Sequence, residues 1–216
     1  MQSPDPFTSQ REEMVRTQLK DRGIEDLRVL QAMREVARDE FVPPEFQDQA
    51  YDDHPLPIGA GQTISQPYIV AVMLQHLALQ PADRALEIGT GSGYTAALLE
   101  RLCREVYSVE RHAQLASTAE ATLTRLGYRN VHIRVGDGRQ GWFEHAPFDA
   151  IMVSAATSDM PPALFAQLSE GGRMIMPIGP PHSQELYLIR KIDGQPERKA
   201  LEGCRFVPLV EDESRQ

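Results

Sequence analysis

The sequence predicts an α/β fold: a doubly wound, mostly parallel sheet with a helical cap before it and antiparallel strands at its C-terminal edge. Three observations carry that expectation. From Arg84 onward short apolar runs alternate with helical patterns, as in successive βαβ units. The run Leu86-Glu87-Ile88-Gly89-Thr90-Gly91-Ser92-Gly93-Tyr94 reads as a strand, a glycine-rich turn and the start of a helix. Two late runs, Glu185 to Ile189 and Gly203 to Pro208, are separated by the turn-like Asp193-Gly194-Gln195-Pro196 and are expected to pair antiparallel at one edge.

The elements before the sheet follow from helical spacing. Thr8 or Ser9 can cap a helix starting near Gln10, with Met14, Val15 and Leu19 on one face and Gly23 ending it. Leu27, Leu30, Met33 and Ala37 predict a second helix from about Glu25 until Pro43-Pro44. From Tyr51 to Pro67 no period survives. Pro55, Pro57, Gly59, Gly61 and Pro67 enclose a polar run, Gln62 to Gln66, in a long structured loop, and loops of that length are commonly functional. Ile69, Val70, Met73, Leu74 and Leu77 then return to helical spacing from Tyr68 to about Leu79.

In the sheet region the expected strands are Ala85 to Ile88, Val106 to Val109, Val131 to Val135, Ala150 to Val153 and Arg173 to Pro177. Helices are expected at about Thr95 to Arg104, Ala113 to Leu126 and Pro162 to Leu168. The domain plan is a leader over 1–10, one domain over 11–210 and an acidic tail over 211–216. Within the domain, 11–80 hold the cap and the loop, and 81–210 hold the sheet.

Composition narrows the function classes. The 216 residues include 41% hydrophobic and 25% charged side chains, and 22 Lys+Arg against 31 Asp+Glu leave a net charge of −9. That balance argues against nucleic acid or an anionic membrane as a partner, and no apolar run reaches the roughly 18 residues of a membrane span. Two cysteines, Cys103 and Cys204, make neither a disulfide framework nor a zinc site, so a reducing, cytoplasmic setting is expected. The six histidines are scattered, and Asp52-Asp53 read as a solvated pair on a Pro-rich loop, so no metal is expected. Cys103 reads as a small buried apolar residue, and Trp142 as packing under its loop.

The glycine turn carries the sharpest chemistry. Glycines let a ligand come close to the backbone, and Glu110, 17 positions beyond Gly93 at the end of the next strand, can accept both ribose hydroxyls of a nucleoside. The spacing is G-x-G-x-G rather than the dinucleotide G-x-G-x-x-G, which favours S-adenosyl-L-methionine over NAD. Gly136-Asp137-Gly138 follows the next strand at the same sheet edge, where Asp137 can accept from an adenine amino group. By itself it is an ordinary Asp-Gly turn.

Several segments together resemble the protein-L-isoaspartate (D-aspartate) O-methyltransferase family. They are Leu56-Pro57-Ile58-Gly59, the run Gly61 to Tyr68, the glycine turn, Gly136-Asp137-Gly138 and the terminal Arg205-Phe206-Val207-Pro208-Leu209-Val210. The resemblance spans nearly the whole chain. It implies a Rossmann-like class I methyltransferase fold whose last two strands exchange places relative to ordinary methyltransferases. It also implies transfer of a methyl group from S-adenosyl-L-methionine to the α-carboxylate of isoaspartyl residues in damaged proteins and peptides.

Residue by residue, the resemblance implies that Ser65 is the active-site serine. Gln62, Thr63, Ile64, Gly89, Thr90, Gly91, Ser92, Glu110, Asp137 and Gly138 would hold the cofactor. Ile58, Gly59, Ser65, Val207 and Pro208 would line the substrate groove. Ser65 has a second possible role, capping the helix that starts near Pro67. Two alternatives stay open: a methyltransferase for another small-molecule, peptide or nucleic-acid substrate, and a catalytically silent cofactor-binding module. A monomer is the working expectation.

Overall fold

The computed structural model describes residues 6–180 and 182–209. The chain opens with α1 (Thr8–Glu13), which widens into π-helical turns over Met14–Leu19 and tightens over Lys20–Arg22. Gly23, at φ +93°, takes the left-handed conformation that ends it. Met14, Val15 and Leu19 form the buried face, as expected. Neither Thr8 nor Ser9 is the cap: the helix starts at Thr8 behind Phe7, with no side-chain cap hydrogen bond.

Helix α2 (Leu27–Glu35) is capped by Asp26, whose carboxylate accepts from the Arg28 and Val29 amides. It is shorter than its pattern suggested. Val36 turns to extended geometry, Arg38–Phe41 form a separate tight turn, and Leu27, which fitted the apolar spacing, is 78% exposed.

The expected long structured loop contains a hairpin, β1 (Leu56–Gly59) and β2 (Gln62–Ile64), paired antiparallel with Leu56 opposite Ile64. Its tip is built from Gly59, Ala60 and Gly61, all at positive φ, which is why glycines flank it. The hairpin feeds α3 (Pro67–Leu77). Strands of four and three residues are too short to show alternation, so only their turn residues were legible.

The sheet follows: β3 (Arg84–Ile88), α4 (Tyr94–Leu102), β4 (Glu105–Glu110), α5 (Ala113–Leu126), β5 (Val131–Val135), β6 (Phe148–Val153), α6 (Pro162–Ala166) and β7 (Leu168–Ile178). Then come β8 (Gln184–Ile192) and β9 (Gln195–Cys204). The order is β5-β4-β3-β6-β7-β8-β9, parallel through β7 and antiparallel from β7 to β9. The last two strands thus stand in chain order, with β9 outermost.

The edge hairpin differs from expectation. Its turn is Asp193-Gly194 alone, and the second strand is Gln195–Cys204 rather than Gly203 to Pro208. The physical reason is solvent: β9 is an edge strand, exposed through Ala200, and its Glu197, Arg198 and Lys199 lack the apolar signal of a buried strand. The apolar run after Cys204 instead leaves the sheet. It crosses the strand ends, where Ala156 N–H donates to Val207 O at 2.8 Å and Leu209 N–H donates to Ala156 O at 2.7 Å.

The two cores lie on opposite faces of the sheet. Ala85, Val106, Ala150, Met152 and Ile175 pack against the helical cap, α3 and α4. Leu86, Ile88, Val109, Ile151, Val153 and Met174 pack on the other side with Leu164 of α6. Successive residues alternate faces, so a strand buried on both sides reads as a continuous apolar run. Each fully buried Val, Leu, Ile or Met side chain among these contributes roughly 1.5–3 kcal/mol. Cys103 is buried in the first core and Trp142 packs against the second.

Candidate active site

Every βα corner of a parallel sheet opens on the same side, at the carboxyl ends of the strands. There the turn after β3 carries Gly89, Gly91 and Gly93 at φ +93°, +54° and +88°, a region other residues rarely adopt. Gly89 N–H donates to Val109 O, and Gly93 N–H to Thr90 O, at 2.9 and 2.8 Å, which locks the turn. Gly93 serves packing as well. A Cβ there would lie 3.2 Å from Ala119 and Leu123 of α5.

Glu110 ends β4 and is only 4% exposed. One carboxylate oxygen accepts from Gly91 N–H and the other from His112 N–H, each at 2.9 Å. A buried carboxylate held by backbone donors is aimed rather than free, and it keeps acceptor capacity for a ligand's hydroxyls.

Together these residues line a cleft of about 800 Å³, counting its open mouth. That is within the range of small-molecule and cofactor sites. Its walls include Gln62, Thr63, Ile64 and Ser65 from β2 and the segment behind it, and Gly89, Thr90, Gly91 and Ser92 from the turn. Of the other expected residues, Glu110, Gly138, Val207 and Pro208 also line it. Asp137 stands apart from that lining. Its Oδ1 accepts from Arg139 N–H at 2.9 Å, so its visible work is capping the turn Gly138–Gln140.

Sequence reasoning missed Ser154, Ala155, Thr95, His112 and Leu209, which also line the cleft. Ser154 and Ala155 follow directly on β6. Their place at a strand end, next to the glycine turn, was the signal that could have found them.

A second groove opens beside the first, between the start of α3 and the crossing segment 203–208. Thr63, Ser65, Ser154, Val207 and Pro208 line both cavities, so the two meet at these residues. Ile58 and Gly59 do not line either one. Ile58 instead backs the glycine turn, where a Cβ at Gly91 would come 3.2 Å from its Cδ1. No side chain caps α3, whose N-cap residue is Gln66, so the Ser65 hydroxyl is not engaged there.

The groove wall is riveted in place. The Arg22 guanidinium lies 3.5 Å from the Tyr68 ring centroid and pairs with Asp53 at 2.5 Å, while Gln66 Nε2 donates to Asp53 O at 3.0 Å. Asp53 is therefore an ion-paired anchor, a correction to its reading as a merely solvated carboxylate. Among the described residues no cluster of three or more His, Cys, Asp or Glu could hold a metal. No described helix is long and apolar enough to cross a membrane.

The site fits S-adenosyl-L-methionine on its own donor set: a buried, aimed carboxylate for vicinal hydroxyls, exposed backbone of a glycine turn, and apolar walls from Ile64, Ile88 and Val109. Relatives agree with that reading. A protein-L-isoaspartate O-methyltransferase from Koribacter versatilis is 54% identical over 96% of this chain and 95% of its own length. One from Opitutus terrae is 55% identical over 95% of this chain and 88% of its own. A solved Plasmodium falciparum structure bearing the same enzyme name, in complex with S-adenosyl-L-homocysteine, superposes with TM-score 0.82 at 30% identity, covering 94% of this chain and 99% of that one. The model of the family described as protein-L-isoaspartate(D-aspartate) O-methyltransferase matches residues 9–214, and this chain belongs to that family.

Proposed function

We infer that this chain transfers the methyl group of S-adenosyl-L-methionine to the free α-carboxylate of L-isoaspartyl residues in damaged proteins and peptides. The observation that carries the reading is the meeting of two cavities at Ser65, one with a nucleoside-type donor set and one open to a chain. When bound, the cofactor supplies an electrophilic methyl group on a sulfonium.

The protein's own task is positional. An isoaspartyl residue routes the main chain through its β-carboxyl, leaving an α-carboxylate where an ordinary residue has none. That carboxylate is ionised at pH 7, so no general base is required. Ser65 donates its hydroxyl to one oxygen and leaves the other free to attack, and the crossing segment at Val207 and Pro208 shields the junction from water. Ile58 acts from behind the glycine turn, against Gly91, and Gly59 shapes the hairpin tip that carries it. Glu110 would accept from the ribose hydroxyls, Gln62, Thr63 and Ile64 would close the cofactor cleft from the hairpin side, and Asp137, whose Oδ1 caps the Gly138–Gln140 turn, would offer its other oxygen to the adenine amino group. The resulting methyl ester is attacked by the following backbone nitrogen, releasing methanol and forming a succinimide that hydrolyses in part to normal aspartate.

The same reading takes the working unit to be a single chain in the cytoplasm, with neither nucleic acid nor membrane as partner. Labelled S-adenosyl-L-methionine and two peptides differing only in L-isoaspartate or L-aspartate at one position test the activity. Base-labile methyl esters on the isoaspartyl peptide alone are expected. Label on both peptides, or on neither, contradicts the reading.

A further inference from the structure

One ionisable group beside the cleft has no part in the mechanism above. Glu87, on β3, is fully buried. Its Oε2 lies 2.5 Å from Ser108 Oγ, and Ser108 Oγ lies 2.6 Å from Thr90 Oγ1. Its Oε1 is buried with no partner. Ser108 is itself fully buried, and Thr90, only 3% exposed, belongs to the cofactor cleft. The three side chains form a chain of hydroxyl contacts from the sheet interior to the glycine turn.

The surroundings decide the charge state. From β4 Glu87 meets Ser108 and the charge of Glu110, and from β6 it stands beside Met152. Helices α3 and α4 on this face carry Tyr68, His76, Tyr94, Glu100 and Arg101, none of which acts on it. Burial, and then the nearby Glu110 charge, hold its carboxyl up at about 8 against the Ser108 contact that lowers it. At neutral pH it carries its proton.

A proton there gives the chain a direction. Neutral Glu87 donates to Ser108, Ser108 donates to Thr90, and the Thr90 hydroxyl hydrogen is left for the glycine turn and its ligand. When Glu87 is ionised, Ser108 must turn to donate to the carboxylate and Thr90 must donate to Ser108, so Thr90 retains lone pairs only. We propose that Glu87 is a positioning residue for the cofactor, whose proton orients Ser108 and Thr90 so that the glycine turn offers a donor to S-adenosyl-L-methionine or S-adenosyl-L-homocysteine. The inference rests on the cofactor reading of the cleft.

Glu87→Gln fixes the neutral arrangement, because its amide donates to Ser108 at every pH. Dissociation constants for S-adenosyl-L-homocysteine are measured by calorimetry from pH 6.5 to 9.5 for the native chain and the variant. Their ratio removes the titration of the ligand's own amino group. The native-to-variant ratio is expected to lie near one at pH 7 and to rise about tenfold by pH 9.5. A ratio that stays constant with pH overturns the inference. Ser108→Ala provides the second arm: it cuts the chain, so its own constants, set against those of Glu87→Gln, should show no alkaline dependence, and retention of the native dependence also overturns the inference. Absence of binding by the native chain at every pH would overturn the cofactor reading and this inference with it.

Discussion

Glu110 holds the turn it serves, because the oxygen that accepts from Gly91 N–H at 2.9 Å belongs to the same carboxylate that faces the cleft. Gly91, at φ +54°, is thereby fixed in a conformation that brings backbone rather than side chain to the cavity wall. Turn and carboxylate form one unit, braced on the far side by His112 N–H.

Glu110→Gln tests that unit. The amide keeps one acceptor but puts N–H against a backbone N–H, so either the Gly91 or the His112 bond is lost. Charge-assisted bonds of this kind contribute roughly 1.5–3 kcal/mol. Cofactor affinity is expected to fall about 10- to 100-fold by calorimetry, with thermal stability reduced by a few degrees. Unchanged affinity would remove Glu110 from the site.

Gly138 is the tightest point of the floor. A Cβ there would come 2.4 Å from Ile88 Cγ2, on the strand that carries the glycine turn. Gly138→Ala must therefore push Ile88 or the Gly138–Gln140 turn aside, an overpacking strain of about 1–3 kcal/mol. A lowered Tm accompanied by weaker cofactor binding is expected, and native values for both would show that this corner yields freely.

Burial of Glu87 makes stability depend on pH with a definite sign. Its carboxyl is raised from 4.5 to about 8 in the folded chain, so between those values the folded state holds a proton that the unfolded state has released. The contribution is fully present below pH 4.5 and is lost as pH rises through 8. Glu87→Gln lacks this loss. Its Tm relative to the native chain should climb across that window by roughly 5–15 °C, corresponding to about 2–5 kcal/mol. A parallel pair of Tm curves would mean that Glu87 is ionised in the folded chain.

Legibility in the sequence followed burial. β3, β4 and β6 sit between two packed faces, and their apolar runs announced them within two residues. β9 was missed because its Glu197, Arg198 and Lys199 face water at the sheet edge, and the apolar run read in its place, at Phe206 and Val207, packs across strand ends. The hairpin β1–β2 left only Gly59 and Gly61 as its mark. Within the site, Glu110 and the glycines were readable because their chemistry lies in local spacing. Ser154 was not, since it reaches the cleft by its place at the end of β6, and Asp53 was not, since its partner Arg22 stands 31 positions away.

Ser65, where the two cavities meet, is proposed to serve the transfer and not the cofactor. Ser65→Ala measured by calorimetry and by steady-state kinetics on an isoaspartyl peptide separates the two most directly. A dissociation constant for S-adenosyl-L-homocysteine within about twofold of native is expected, with a kcat lowered roughly 10- to 100-fold, the loss of one hydrogen bond to a charged group. Abolished cofactor binding, or native kcat, would contradict it.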